Sequence, residues 1–294
     1  MEESVAFLGI DIGSTITRAA LIDEDLHMLA LANAPTNIDG SLQAAIDDVR
    51  AVSRKALDQV GFRIGAIDAV GISCSGTADD ADGCVLSPIL QWNEPVPVRT
   101  IAHSYVSAPV FVTNDAQAAA VGEAHYGAGM PYDRFSLIRM GSFIEIAMVM
   151  GAKPVETDAL PASVATEVEF LHEARGLVDP DEGRDGGLSG IRLNRISSSQ
   201  IMEGARRKHP IALHATDWLA ERMTEGVVSA TTEHAPQAII ISGAMQRDQQ
   251  YLGRLVTRKL AQTRSAIAGI PVESALLGND AKAFGAAIIA LQRA

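Results

Sequence analysis

Residues 5–22 read Val5-Ala6-Phe7-Leu8-Gly9-Ile10-Asp11-Ile12-Gly13-Ser14-Thr15-Ile16-Thr17-Arg18-Ala19-Ala20-Leu21-Ile22. An apolar run over 5–10 is broken by Asp11 to Thr15, and β-branched and apolar residues resume over 16–22. This pattern predicts two strands joined by a tight turn. The second half repeats it: residues 135–140, then Gly141-Ser142, then 144–149 and Gly151. Laid over the first hairpin, Gly141-Ser142 falls on Gly13-Ser14. Any hairpin turn favours glycine, so the shared layout carries more weight than the two matching residues.

Working outward, apolar residues at Leu42, Ala45, Ile46, Val49, Val52, Ala56, Leu57 and Val60 follow the spacing of a helix over 41–60, with Gly61 as its stop. Residues 69–74 and 110–113 suit buried central strands, as does 238–242. Pro210 opens a helix carrying Trp218, Leu219, Met223 and Val227, and 281–291 forms a closing helix. The acidic, glycine-rich stretch 176–190 reads as a mobile surface loop.

A chain of 294 residues exceeds one ordinary core and suits two lobes. With 47% apolar and 20% charged residues it reads as an ordinary globular protein. A net charge of −12 argues against nucleic acid as partner, because such binding draws on Lys and Arg contacts to phosphate. The two cysteines, Cys74 and Cys84, make no disulfide framework and fit a reducing compartment. Residues 1–4 lack the features of a signal peptide and no apolar run reaches membrane-span length, so the expectation is a cytoplasmic protein with no membrane partner.

Phosphoryl transfer needs backbone N–H groups around a phosphate tail and a metal ion to neutralise charge. Gly13, Ser14 and Thr15 can form such a cradle, and Asp11 at a strand end can hold magnesium through water. Turns of this composition also occur in proteins that bind nothing, so the turn alone leaves both readings open. Asn114-Asp115 follows the 110–113 strand and precedes an alanine-rich helix over 116–124. A carboxylate there can accept the proton of an attacking hydroxyl while the amide orients the substrate. Asn114 with Gln117 is equally a capping box, with Asp115 favoured by the helix dipole. Residues 239–244 end a strand in small residues where an adenine can lie, and the small-residue helix after Gly278-Asn279-Asp280 indicates close packing. The seven histidines show no metal-like pairing.

The order of these pieces resembles the ROK (repressor, open reading frame, kinase) family across nearly the whole chain. The residues that carry it are 9–15, 71–76, Asn114-Asp115 with the alanine helix, 241–243, and Leu277-Gly278-Asn279-Asp280-Ala281. The resemblance is to sugar kinases of the glucokinase and N-acetylhexosamine kinase kind. It implies an α/β, two-lobed actin-like ATPase (ribonuclease H-like) fold of mixed sheets flanked by helices. The lobes would be 1–114 plus 281–294, and 115–280.

By the same resemblance, MgATP transfers its γ-phosphate to a hydroxyl of a hexose or amino sugar, with Asp115 as general base and Asp11 serving the magnesium. Gly13, Ser14 and Thr15 would face the phosphates, as would Gly141 and Ser142 in the second phosphate loop. Ser75, Gly76, Asn114 and Glu167 would bind sugar, and Gly243 the adenosine. A homodimer is compatible with this.

The departures are informative. Phe170 stands where the family has a histidine and the cysteine cluster is missing, so no structural zinc is expected. The second loop reads Met140-Gly141-Ser142-Phe143-Ile144-Glu145 in place of a glycine-rich run; Phe143 would crowd the backbone, and Glu145, facing phosphates, would repel them. Ser14 replaces a second glycine, and Ile89 stands where an asparagine often contacts sugar. Beside the kinase stand a non-catalytic sugar-sensing relative that has lost productive ATP binding and a DNA-binding repressor. The latter carries a helix-turn-helix ahead of the first strand, which here starts by Val5.

Overall fold

A computed structural model of the chain describes residues 5–37, 41–156, 160, 162–176, 196–243 and 246–294. Apart from Gly176, the acidic stretch 176–190 lies outside the described residues, as does Ala244 at the end of the 239–244 segment. The chain forms two compact units: Met1–Asp133 with Val149–Val155 and Leu276–Ala294, and Arg134–Met148 with Glu156–Ala275.

In chain order the first unit holds β1 (Ala6–Ile12), β2 (Ile16–Asp23), β3 (Met28–Pro35), α1 (Leu42–Val60), β4 (Ala69–Cys74), β5 (Thr77–Asp79), β6 (Cys84–Ser87), β7 (Trp92–Val96), α2 (Val98–Ala102), β8 (Val110–Asn114) and α3 (Asp115–Tyr126). Then follow β9 (Arg134–Met140), β10 (Phe143–Met150), β11 (Lys153–Pro154), β12 (Ala162–Thr166), α4 (Glu167–Gly176), α5 (Ser198–Arg206), α6 (Pro210–Thr231), β13 (Ala238–Ser242), α7 (Gln246–Leu260), β14 (Val272–Ser274) and α8 (Ala281–Arg293).

The hairpin over 5–22 forms as β1 and β2, and its sheet runs β3-β2-β1-β4-β8. β2 is antiparallel to β1 and β3, whereas β4 is parallel to β1 and β8. In the second unit β13 lies parallel between β9 and β14, and β10 and then β12 flank β9 on its other side. Both halves therefore place a hairpin beside two parallel strands, the repetition read from Gly13-Ser14 and Gly141-Ser142. β5, β6 and β7 form a small antiparallel sheet that leaves the end of β4 at Gly76.

Local chemistry explains the elements found. Ser41 caps α1 by accepting from the Ala44 N–H at 3.1 Å, and Gly61 ends it in the left-handed region at φ 71°. Pro210 occupies the first turn of α6, where its missing N–H has no partner to lose. α3 falls in the first unit, where it packs on α8. A Cβ on Gly285 would come within 1.7 Å of the Ala118 carbonyl oxygen, and one on Gly122 within 2.3 Å of that of Ala281. The same helix presses on the sheet at Gly9 and Gly71, whose Cβ positions lie 2.0 and 1.9 Å from α8 carbonyls. The buried Glu123 of α3 fastens this corner by accepting from the backbone N–H groups of Ala128, Leu276 and Leu277.

Candidate active site

The parallel pairing sets a row of polar residues at the ends of β1, β4 and β8. Asp11 lies opposite Ser73, Ser73 opposite Thr113, and Cys74 opposite Asn114. With strands about 4.8 Å apart, Asp11 and Asn114-Asp115 are two strand spacings from each other. Cys74 lies between them, buried and unpaired with any cysteine. Burial, then the Asp11 and Asp115 carboxylates, push its thiol well above the ordinary range, against an opposing pull from Lys282. Carboxyl ends of parallel strands are where α/β sheets collect ligands.

Asp115 is fully buried in the first turn of α3, and the Ser75 hydroxyl donates to its Oδ2. Asn114 caps the helix: its Oδ1 accepts from Ala116 at 2.7 Å, and its Nδ2 donates to the Gly76 carbonyl at 2.7 Å. Gln117 takes a hydroxyl bond from Thr113 at 3.3 Å. The cap is therefore made by the Asn114 side chain and leaves the Asp115 carboxylate outside it. Gly76 needs to be glycine, since its φ is 126° and a Cβ would meet the Leu86 carbonyl at 2.3 Å. Ile89 is half-buried against the apolar core.

At the first turn Gly13 is buried, Ser14 half-buried and Thr15 exposed. Thr36, which sequence reading passed over, pins this turn by donating its hydroxyl to the Gly13 carbonyl at 2.7 Å and its N–H to that of Thr15 at 2.9 Å. Asp11 is fully buried, and its Oδ1 accepts from the Ser73 hydroxyl at 3.0 Å. Its Oδ2 is 2.8 Å from the Lys282 ammonium and 3.8 Å from the Arg18 guanidinium, which also pairs with Asp280 at 3.2 Å. Neither Arg18 nor Lys282 was a sequence candidate; the signal available was a charged residue inside an apolar strand and another inside a run of alanines.

These residues do not fit the magnesium expected on Asp11. The Lys282 ammonium stands 2.8 Å from Asp11 Oδ2, as close as a metal-bound water would come. A divalent ion there would meet the Lys282 and Arg18 charges as well as the Asp11 and Asp280 carboxylates, so it would find little net attraction.

The second unit gathers its own candidates. The Gly141-Ser142 turn joins β9 to β10, and the Ser142 carbonyl accepts the Glu167 N–H at 2.9 Å where α4 begins. Gly243 follows β13 at φ 92°, where a Cβ would lie 2.0 Å from the Met140 carbonyl. A cleft of about 390 Å³ is lined by Gly141, Ser142, Glu167, Phe170, Gly243 and Asp248. The Glu167 carboxylate accepts from the Ser198 hydroxyl at 2.6 Å, and Asp248 pairs with Arg206, two partners that sequence reading missed.

The expected repulsion from Glu145 is corrected by Arg139, whose guanidinium lies 3.2 Å from that carboxylate with both side chains buried. Gly141 leaves room for this arginine, since a Cβ would sit 2.4 Å from its Nη1. Phe143 is half-buried in β10, opposite Thr166.

The ROK family profile matches residues 7–158 and 180–293. A glucokinase of Streptomyces coelicolor is 30% identical over 148 residues, 50% of this chain and 44% of that protein. The match thus spans less than half of that relative's length. A glucokinase of Pyrobaculum calidifontis is 25% identical over 303 residues, 97% of this chain and 94% of that one. Among solved structures, a ROK family glucokinase from Streptomyces griseus in complex with glucose and AMPPNP superposes with a TM-score of 0.75 at 24% identity, covering 98% of this chain and 99% of that one. The mixed α/β sheets flanked by helices are those of the actin-like ATPase fold. With a profile match running over most of its length, the chain belongs to the ROK family.

Proposed function

We propose that this chain transfers the γ-phosphate of ATP to a hydroxyl of a hexose or amino sugar, with Asp115 as the general base. The observation that carries this reading is the fully buried Asp115 at the strand-end row, held by the Ser75 hydroxyl two strands from Asp11. A carboxylate fixed in this way can take the proton of a hydroxyl as it attacks phosphorus, and Ser75 keeps the accepting oxygen in one orientation. Family membership, relatives named glucokinase and a similar structure in complex with glucose and AMPPNP support the donor and acceptor classes.

The remaining assignments belong to the same reading. Ser75, Gly76, Asn114 and Glu167 orient the sugar; Gly13, Ser14 and Thr15, with Gly141 and Ser142, receive the phosphates; Gly243 receives the adenosine. Within the second unit, Gly141, Ser142, Glu167 and Gly243 share one cleft, and the Arg139 pairing leaves Glu145 no uncompensated charge to repel phosphate.

A second reading, a sugar-sensing relative without phosphoryl transfer, draws on one observation: Asp11 is occupied by Lys282. The test is ADP release from MgATP with a panel of hexoses and N-acetylhexosamines, repeated with Asp115→Ala. Turnover with one sugar that falls by about two orders of magnitude or more in the variant supports the kinase. Sugar binding by calorimetry with neither turnover nor ATP binding supports the sensor.

A further inference from the structure

Lys282 is the second residue of α8, flanked by Ala281 and Ala283. Its side chain is 10% exposed and its ammonium lies 2.8 Å from Asp11 Oδ2. Burying an ammonium is unfavourable unless it is paired, so Asp11 is the group that holds it there. The helix beneath is fixed as well. α8 carbonyls approach Gly9 and Gly71 so closely that the helix cannot withdraw Lys282 without leaving the β1 and β4 strands.

Around Asp11 the charges already balance. Arg18 reaches the same carboxylate at 3.8 Å and bridges to Asp280 at 3.2 Å, so two carboxylates face two cations. Asp280 is 44% exposed and so contributes to this balance more weakly than Asp11 does. A divalent ion entering this cluster would have no charge deficit to fill and would meet two positive groups at short range.

The geometry points to Lys282 as the resident cation of the first phosphate turn: it occupies the place of a divalent ion on Asp11, so Asp11 is not a metal ligand and a phosphate chain enters this turn without a metal there. This rests on the reading of residues 13–15 as a phosphate turn. Lys282 is thereby a positioning and charge-neutralising residue, and its removal should convert Asp11 into a metal site.

The test uses Mn²⁺ as probe, followed by electron paramagnetic resonance on the full chain without nucleotide. The wild type should show no Mn²⁺ binding that depends on Asp11. Lys282→Ala should gain affinity about tenfold or more, and Asp11→Asn on that background should remove the gain. Mn²⁺ should also raise the melting temperature of Lys282→Ala and leave that of the wild type unchanged. If Lys282→Ala does not fold, Lys282→Met, which keeps the apolar stem, takes its place.

Wild-type Mn²⁺ binding abolished by Asp11→Asn would overturn the proposal, as would a lysine variant that gains nothing. Calorimetry of tripolyphosphate in EDTA and in magnesium adds a second arm: affinities within about threefold agree with the proposal, and a tenfold dependence on metal contradicts it. Failure of the wild type to bind either tripolyphosphate or ATP would count against the kinase reading, while the Mn²⁺ titration still decides the role of Lys282.

Discussion

Arg139 donates to the Glu145 carboxylate at 3.2 Å from beneath the Gly141-Ser142 turn, and both side chains are nearly closed to solvent. Removing one member of a buried pair takes a countercharge from the other, at about 3 to 5 kcal/mol, whereas replacing both with apolar residues is often close to neutral. Arg139→Met should therefore lower the urea midpoint strongly, and Arg139→Met with Glu145→Leu should recover most of the loss. Equal losses in the single and double variants would mean that the pair is not what holds the turn.

The bond from Ser75 to Asp115 leads to a separable kinetic effect. Ser75→Ala leaves the carboxylate in place but removes the hydroxyl that orients it, so kcat should fall by roughly 10- to 100-fold, and the loss of a donor to a buried carboxylate should also lower stability by about 1 to 3 kcal/mol. Asp115→Ala should fall further, by about two orders of magnitude or more. Steady-state kinetics on the accepted sugar checks both. A Ser75→Ala change that raised KM alone would place Ser75 on the sugar and not on the base.

Local pattern made much of this legible, and long-range pairing made the rest opaque. The alternation of apolar runs with Asp11 to Thr15 and with Gly141-Ser142 announced both hairpins, and helical spacing with Gly61 announced α1. β3 was harder, because Met28 to Pro35 is almost wholly apolar in sequence although only Ala30 and Ala32 are closed to solvent, so no alternation of polarity marks its buried face. β5 and β6 are too short to show a period. In the site, Asp11, Asn114 and Asp115 stand at strand ends that sequence can mark. Lys282 could not be linked to Asp11 by any periodicity, since the pair closes only when α8 returns to the first sheet. The packing of α3 on α8 was hidden for the same reason: what ties the two helices is the absence of side chains at Gly122 and Gly285.

Thiol chemistry reads out whether the strand-end row is closed. Cys74 is buried beside Asp11 and Asp115, which together with burial keep it protonated, whereas Cys84 is half-buried in the small sheet. The thiolate is the reactive form, so an aromatic disulfide reagent at mildly alkaline pH should modify one thiol per native chain, at Cys84, and reach the second only in denaturant. Cys84→Ser should abolish the native reaction. Comparable rates at both cysteines would show that water reaches the row between the two aspartates.

Two glycines in helices should respond in opposite directions to the same added methyl. In α7, Gly253 has open space around it: a Cβ would meet Val272 and Ile241 side chains at 3.7 and 3.9 Å, ordinary contact distances. Gly253→Ala should thus stabilise the chain by about 0.5 to 1 kcal/mol through helix propensity and lost freedom of the unfolded state. In α8, Gly285→Ala drives a Cβ to 1.7 Å from the Ala118 carbonyl and 2.9 Å from the Gly122 nitrogen, so two helix backbones have to separate. Overpacking against backbone should lower stability by about 3 kcal/mol or more. Because Lys282 rides on the same helix, its distance from Asp11 should open as well, and Mn²⁺ binding by any folded Gly285→Ala protein reports that shift. Melting temperatures of the two variants check the opposite signs, and a Gly285→Ala protein as stable as the parent would mean that α3 and α8 are not in contact as described.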